Sequence, residues 1–182
     1  MPAFAAAAPR KQDGDRLLVG RLTHALLQHL PQCVADRRPA VALRFLELRA
    51  PGLEPAWREA TARAALNVID DPSLAPLYGA GSAAEVDIVA RIDTPRGPRD
   101  IVGRIDRIAE TESEVFIADF KTGAPRLSPS PAQLRQLALY RAAAATLYPG
   151  KTLRCVLIFT QDASVVEPNE QALEQALREI EA

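Results

Sequence analysis

The sequence predicts an α/β fold in which helices flank a mixed β-sheet, preceded by a helical N-terminal region. Up to about residue 80, apolar residues recur at three- and four-residue spacing, which is the period of an amphipathic helix. From Ala84 onward the period changes to two, which is typical of strands. Three successive strands followed by a helix, a strand and a helix predict a sheet with both antiparallel and parallel neighbours.

The elements follow in chain order within one predicted domain, residues 16–182, after a flexible leader over residues 1–15. The helical part extends to about residue 80, with helices over DRLLVGRLTHALLQHL, VALRFLELRA and EPAWREATARAALNVID. Asp15 is the predicted N-cap of the first helix and Pro31 its stop. The sheet-containing core covers about residues 84–182. Its strands are AEVDIVARI, DIVGRIDRIA, EVFIADFK and TLRCVLIFT, with helices over PAQLRQLALYRAAAATLY and NEQALEQALREIEA.

Composition excludes several classes of protein. A chain of 182 residues that is 48% apolar and 25% charged has the composition of a globular domain. No apolar run approaches the roughly 20 residues of a membrane span. The N-terminal stretch has no basic region before its apolar residues, so no secretion signal is predicted and a cytoplasmic location is expected. Cys33 and Cys155 lie far apart, which excludes a four-cysteine zinc site and an all-cysteine iron–sulfur cluster.

A nucleotide site is not predicted either. The segment PGKT resembles part of a phosphate-binding loop, but Ala145 stands where the first glycine is needed. The order of elements is also helix, loop and strand instead of strand, loop and helix.

Two aspartates stand out in the segment GRIDRIAETESEVFIADFKTG, because each lies among apolar residues. Burial of a carboxylate is costly unless a partner compensates its charge. If ETES closes a hairpin with an even loop, Asp106 lies opposite Ile117 and Arg104 lies opposite Asp119. Asp119 is then the diagonal neighbour of Asp106, and Lys121 shares that face because strand side chains alternate.

Two interpretations of this cluster remain open. Carboxylates this close repel each other, so they favour a divalent cation, and oxygen ligands favour Mg²⁺, with Mn²⁺ able to substitute, over zinc. The alternative is an ordinary salt bridge on a half-exposed sheet, either between Arg104 and Asp119 or between Lys121 and Asp106.

The motifs taken together resemble the RecB-like branch of the PD-(D/E)XK nucleases, and within it the C-terminal nuclease domains of AddA-type subunits. GRLTHALLQHLP, AEVDIVARI, GRIDRI, ADFKTG, QLALY and YPGKTLRCVLIFT occur in the family's order from about residue 16 to the end. The resemblance implies a restriction-endonuclease-like fold. It implies that Asp106 and Asp119 are metal ligands beside the carbonyl of Phe120, and that Lys121 is the catalytic lysine.

The resemblance adds further residues to the site. It implies His24 as a metal-site residue on the first helix, and Gln136 and Tyr140 as a catalytic supporting pair. Gln136 and Tyr140 are one turn apart, so they either pack against the sheet or hold the catalytic lysine or contact the DNA backbone. Glu85 is a further candidate metal ligand, whereas Asp87 on the same strand face could equally be a solvent residue.

The implied function is that of a metal-dependent deoxyribonuclease, with exonuclease activity in a helicase-nuclease that processes double-strand breaks for recombinational repair. The chain has 22 Lys and Arg against 23 Asp and Glu, without the basic excess of a free-standing DNA binder. This balance fits single-stranded DNA delivered by a helicase, with an AddB-like partner subunit. A local basic lip is still expected from Arg104, Arg107, Lys121, Arg126, Arg135 and Arg141.

The alternative is a degenerate nuclease-fold module with a structural or partner-binding role. The joint presence of Asp106, Asp119, Lys121 and His24 favours the active enzyme, because a decayed site would have lost at least one of them.

Overall fold

A computed structural model describes residues 11–94 and 97–180, and the chain divides into two compact units, Met1–Ala65 and Leu66–Ala182. The first unit is helical. Its elements are α1 (Lys11–His29), α2 (Arg38–Arg49) and most of α3 (Pro55–Ile69), with short 3₁₀ turns at Leu30–Gln32 and Ala35–Arg37. The buried residues of α1 include Leu22, Leu26 and Leu27, which follow the predicted helical spacing.

The start of α1 differs from the prediction. The helix already includes Lys11, so Asp15 lies inside it and the predicted N-cap is wrong. Of the predicted leader, residues 1–10 lie outside the described part of the chain and residues 11–15 belong to α1. The predicted stop is confirmed, since α1 ends at His29 and Pro31 lies in the following 3₁₀ turn.

The second unit is built on a mixed sheet with the strand order β1-β2-β3-β4-β5 within the described residues. The strands are β1 (Ser82–Thr94), β2 (Gly97–Glu110), β3 (Glu114–Lys121), β4 (Thr152–Phe159) and β5 (Ser164–Val166). β3 and β4 are parallel, and the other neighbouring pairs are antiparallel. The predicted α/β fold is confirmed. The sequence did not predict β5, because three residues are too few to show an alternating pattern.

Helices cover this sheet. A 3₁₀ turn at Pro72–Tyr78 precedes β1, α4 (Pro131–Leu147) forms the crossover between β3 and β4, and α5 (Glu170–Arg178) follows β5. A parallel pair of strands needs such a crossover, since a tight turn cannot join them. The apolar core of the unit joins the sheet to α4 and α5, and its fully buried members include Val115, Ile117, Leu137 and Leu157.

The hairpin between β2 and β3 has a tighter turn than the sequence predicts. The Thr111 N–H donates to the carbonyl of Glu114 at 2.9 Å, and the Glu114 N–H donates to Thr111 Oγ1 at 3.0 Å. Thr111 therefore closes a turn of two residues, where four had been expected. As a result Ile117 pairs with Ile108 and not with Asp106. The predicted register is wrong by two residues.

Candidate metal centre and neighbouring cavities

The Asp106 side chain links β2 to β3 at the point where the backbone pairing of the two strands ends. The last paired residues of that ladder are Arg107 and Ala118, and the same register continued by one residue sets Asp106 opposite Asp119. The Phe120 N–H donates to Asp106 Oδ2 at 2.7 Å. A backbone donor to a carboxylate stabilises the charged form and fixes its orientation. Asp106 and Asp119 are therefore level on neighbouring strands, closer in register than the predicted diagonal.

Glu85 lies on the other side of Asp106, on β1. The pairs Ala84–Arg107 and Val86–Ile105 flank it, so Glu85 is opposite Asp106 in the β1–β2 register. Carboxylate oxygens of Glu85 and Asp106 lie within 4.8 Å of one another. The φ of Glu85 is 53°, a left-handed conformation that costs a residue with a Cβ about 1–3 kcal/mol. The backbone thus holds a strained residue beside Asp106.

Asp119 is paired with Lys121. The Lys121 ammonium nitrogen is 2.5 Å from Asp119 Oδ2. Asp119 is only 4% exposed, whereas the Lys121 side chain is 26% exposed and reaches solvent. An ammonium partner offsets the cost of burying a carboxylate. In the structure, Lys121 thus forms a salt bridge with Asp119.

Arg104 forms its ion pairs with acids of β1. Its Nε is 2.7 Å from Asp87 Oδ1, and its Nη1 is 3.7 Å from Glu85 Oε2. The hydrogen bond to Asp87 is the main reason that the pKa of Arg104 is raised. Asp87 is 71% exposed, so it is a solvent-facing partner of Arg104, in agreement with one of its two interpretations.

The predicted basic lip is smaller in the structure. Arg107 is 4% exposed, lies 4.6 Å over the Tyr78 ring and donates to Ser82 Oγ at 2.7 Å. Burial lowers the pKa of Arg107. Arg141 is paired with Glu170. Arg107 is therefore a buried structural cation, and Arg104 and Arg141 are neutralised by acids.

Gln136 and Tyr140 connect α4 to β2. The Tyr140 hydroxyl donates to the carbonyl of Arg104 at 2.7 Å, and Gln136 Nε2 donates to the Tyr140 hydroxyl at 3.2 Å. A Cβ at Gly103 would lie 2.8 Å from the Tyr140 ring, so glycine is required for this approach. The pair therefore holds β2 at Arg104, two residues before Asp106. Packing against the sheet is thus observed, and contact with DNA stays a prediction.

His24 and Phe120 are the other two residues predicted to belong to the metal site. His24 is half-buried on α1 of the first unit, and His29 is exposed. The Phe120 side chain is 3% exposed and its N–H contacts Asp106. A metal role for His24 and for the Phe120 carbonyl stays a prediction.

The donor set fits a divalent cation. Glu85 and Asp106 offer oxygens within 4.8 Å of one another, and Asp119 is nearly buried at the level of Asp106. Carboxylates so close repel each other, and a cation between them relieves that repulsion. Oxygen donors suit a hard ion, with Mg²⁺ and Mn²⁺ the candidates by ligand type.

Two cavities lie at opposite ends of β3 and β4. The lysine cavity has a volume of about 390 Å³ and includes Lys121, Thr122, Arg126, Ser130 and Gln133 in its lining. The glutamate cavity has a volume of about 890 Å³, and its charged lining residues are Glu114, Glu167, Glu170, Arg141, Lys151 and Arg154. Sequence reasoning missed both cavities. The one available signal for the first was the S-x-x-Q pattern at Ser130, which is typical of a helix start.

The comparisons with known proteins identify a family. The model of the PD-(D/E)XK nuclease superfamily matches residues 4–182. Among solved structures, the chain is similar to one titled "Crystal structure of SSO0001", with 16% identity, 88% of this chain and 83% of that chain covered, and a TM-score of 0.37. No curated protein matches the chain. No helix in the described part of the chain is long and apolar enough to cross a membrane.

Proposed function

Because the chain belongs to the PD-(D/E)XK nuclease superfamily, we propose that it is a metal-dependent DNA nuclease domain that hydrolyses phosphodiester bonds. One observation carries the proposal. Glu85, Asp106 and Asp119 are level on three neighbouring strands, and the ammonium of Lys121 lies against Asp119. Acids and an amine in this arrangement suit hydrolysis of a phosphodiester, in which negative charge develops on the phosphate.

Asp106, Asp119 and Glu85 are the residues that would hold the cation, with the Phe120 carbonyl and His24 as further candidates. We propose Mg²⁺, with Mn²⁺ as a substitute, from the oxygen donors. When bound, such an ion lowers the pKa of a water ligand and polarises the phosphate.

Lys121 acts on the reacting groups. Its side chain is partly exposed while its ammonium nitrogen is 2.5 Å from Asp119. An ammonium has three donors, so Lys121 can keep one hydrogen bond to Asp119 and direct others to the attacking water or to a phosphate oxygen. This would orient the nucleophile and offset negative charge in the transition state.

The surrounding residues hold the acids in place. The Phe120 N–H orients the Asp106 carboxylate, and Tyr140 anchors the preceding part of β2 through the Arg104 carbonyl. Gln136 donates to the Tyr140 hydroxyl and so orients it. These contacts fix geometry, and rates depend steeply on the position of the reacting groups.

The wider role that we propose is exonuclease action within a RecB-like, AddA-type helicase-nuclease that processes double-strand breaks for recombinational repair. Support comes from the motifs of the sequence and from its net charge of −1, which does not favour independent capture of DNA. A helicase would deliver the single strand, and an AddB-like subunit would complete the complex.

Metal binding is the first test. Mg²⁺ or Mn²⁺ should raise the melting temperature, by mass action on the folded state, and Asp119→Ala should abolish the increase. Asp100→Ala is the matched control, because Asp100 is also on the sheet but is 75% exposed and paired with Arg91. Differential scanning fluorimetry over a metal titration measures both. An unchanged metal response in Asp119→Ala would overturn the assignment of this residue.

Cleavage is the second part of the test. The parent chain should degrade a labelled single strand in Mg²⁺ and leave it intact in EDTA, and the assay is run with and without a helicase partner. If the chain binds the metal but cleaves the strand neither with nor without a helicase partner, the degenerate module is favoured instead.

A further inference from the structure

The lysine cavity differs from the glutamate cavity in its charge. Its lining, all within the described ranges, includes two cations, Lys121 and Arg126, and no aspartate or glutamate. The glutamate cavity combines three cations with three glutamates. A cavity with cations and no lining acid is electrostatically suited to an anion.

The guanidinium of Arg126 differs from the other lining cations in its partners. It is exposed, and among the residues that the structure describes it makes no hydrogen bond or ion pair. Lys121 is paired with Asp119, and every cation of the glutamate cavity lies against a glutamate, so within the described residues Arg126 is the lining cation that has no acid beside it. The guanidinium offers five donors in a planar fork that matches two oxygens of a phosphate group.

The start of α4 adds neutral donors to the same cavity. The Ser130 N–H donates to Gln133 Oε1 at 2.8 Å, and the Gln133 N–H donates to Ser130 Oγ at 3.3 Å. This reciprocal cap occupies acceptor positions of both side chains. The cap does not use the Ser130 hydroxyl proton or the Gln133 side-chain NH₂, and both of these are donors. The cap thus leaves the cavity with hydrogen-bond donors, which an anion requires.

We propose that the lysine cavity binds a backbone phosphate of the DNA strand next to the phosphate that is cleaved. The inference rests on the proposed function and names the part of that site which seats the substrate. Lys121 belongs both to the lining of the cavity and to the pair with Asp119, so a strand lying in the cavity passes beside the acids. Arg126 holds the neighbouring phosphate, and Ser130 and Gln133 supply further hydrogen bonds. Contacts of this kind position a strand without reading its sequence.

Two variants test the proposal without disturbing the fold. Arg126→Gln removes an exposed charge that has no intramolecular partner among the described residues. Gln133→Glu keeps an acceptor for the Ser130 N–H, since glutamate suits this position of a helix cap equally well, but it replaces the donors by a negative charge. Arg141→Gln is the matched control, because it removes one arginine from the glutamate cavity and changes the net charge equally.

The measurement is the affinity for a fluorescently labelled oligothymidylate, by anisotropy in Ca²⁺ over a range of salt concentrations, with the strand shown to be intact on a denaturing gel. Arg126→Gln should raise the Kd about tenfold, as expected for one charge-assisted contact. It should also reduce the slope of log K against log salt by about 0.7, the value for one phosphate on a single strand. Gln133→Glu should weaken binding as well. Arg141→Gln should leave both the Kd and the slope unchanged, and Mn²⁺ affinity should not fall in any of the three variants.

The outcomes separate this proposal from the proposed function. Cleavage by the parent together with equal affinity and slope for Arg126→Gln would overturn the phosphate site and leave the nuclease assignment standing. If the parent binds the strand but never cleaves it, and Arg126→Gln binds the strand more weakly, the phosphate site is supported and the nuclease assignment is not. Equal losses in Arg126→Gln and Arg141→Gln would indicate a general charge effect and overturn the phosphate site. Absence of binding by the parent at low salt would overturn it too.

Discussion

The two cavities at the ends of β3 and β4 differ in size and in charge, and the smaller one lies beside the candidate catalytic residues. The glutamate cavity measures about 890 Å³ and the lysine cavity about 390 Å³. At the larger one, positive and negative side chains neutralise each other. At the smaller one, Lys121 borders both the cavity and the acids of the sheet. In this molecule the balance of charge, and not the volume, distinguishes the candidate site from an ordinary surface cleft.

The glutamate cavity is bordered by structural ion pairs. Arg154 donates to both carboxylate oxygens of Glu167, at 2.9 and 2.7 Å, and its guanidinium lies 4.9 Å over the Phe116 ring. Lys151 Nζ is 2.6 Å from Glu110 Oε1. Paired, planar and stacked contacts of this kind hold neighbouring elements together. Substitutions here should therefore change stability, whereas substitutions at the other end should change chemistry.

The largest expected effect is at Lys121. Lys121→Ala should reduce single-turnover cleavage of a labelled strand by about 10²–10³-fold, the loss typical of one electrostatic group in a transition state. Its affinity for Mn²⁺, measured by calorimetry, should stay equal or rise slightly, because a nearby positive charge is removed. Asp106→Ala should lose metal binding and cleavage together.

Lys151→Ala is the control for Lys121→Ala, because it removes a lysine of similar exposure at the other cavity. It should cleave like the parent. If Lys121→Ala also cleaves at the parent rate, then Lys121 serves only as the salt-bridge partner of Asp119.

A smaller effect is expected at Gly103. Gly103→Ala places a methyl group 2.8 Å from the Tyr140 ring, and such overpacking costs about 1–3 kcal/mol of unfolding free energy. Because Tyr140 anchors β2 near Asp106, cleavage should fall as well. Gly150→Ala is the matched change at the other end: its φ of +84° strains a Cβ, but no atom lies within 4 Å. It should cost about 1 kcal/mol and leave cleavage intact. Chemical denaturation and the cleavage assay measure both variants.

The smallest effect concerns acid stability at the glutamate cavity. The hydrogen bond from Arg154 lowers the pKa of Glu167. A lowered pKa in the folded state contributes stability above the usual pKa of glutamate, about 4.3 in the unfolded chain, and this contribution is lost as the pH falls through the lowered value. Glu167→Gln should therefore melt below the parent at neutral pH, and the difference should vanish on acidification. A difference that is constant with pH would contradict this origin.

The fold could be predicted closely where local signals were strong. The bounds of β3 are those predicted from EVFIADFK, because polar turn residues flank a run that is buried almost throughout. α4 begins at Pro131 as expected, since proline is favoured in a first turn and Ser130 caps the helix. A position of Glu85 near Asp106 was also expected, because both were predicted metal ligands. The backbone strain at Glu85 could not be predicted from residue types.

The remaining features depend on geometry that the sequence does not encode locally. The observed hairpin register differs from the predicted one by two residues, because the Thr111 side chain accepts a hydrogen bond within the turn. Loops of two and of four residues both agree with the apolar pattern of the strands, so the pattern could not distinguish them. The pairing of Arg107 with Tyr78 and Ser82 depends on a 3₁₀ turn far away in the chain. The donors in the lining of the lysine cavity are side-chain atoms that the helix cap does not use, and residue spacing alone does not identify them.

The contact between Asp106 and Phe120 joins residues only 14 positions apart. A two-residue turn closes that stretch, so bringing Asp106 level with Asp119 costs little loop-closure entropy. β3 and β4, in contrast, meet only after the long connection that contains α4. An isolated hairpin forms within about 1–10 μs. The two aspartates therefore belong to a segment that can re-form its own contacts quickly after a local opening, before the parallel part of the sheet is rebuilt.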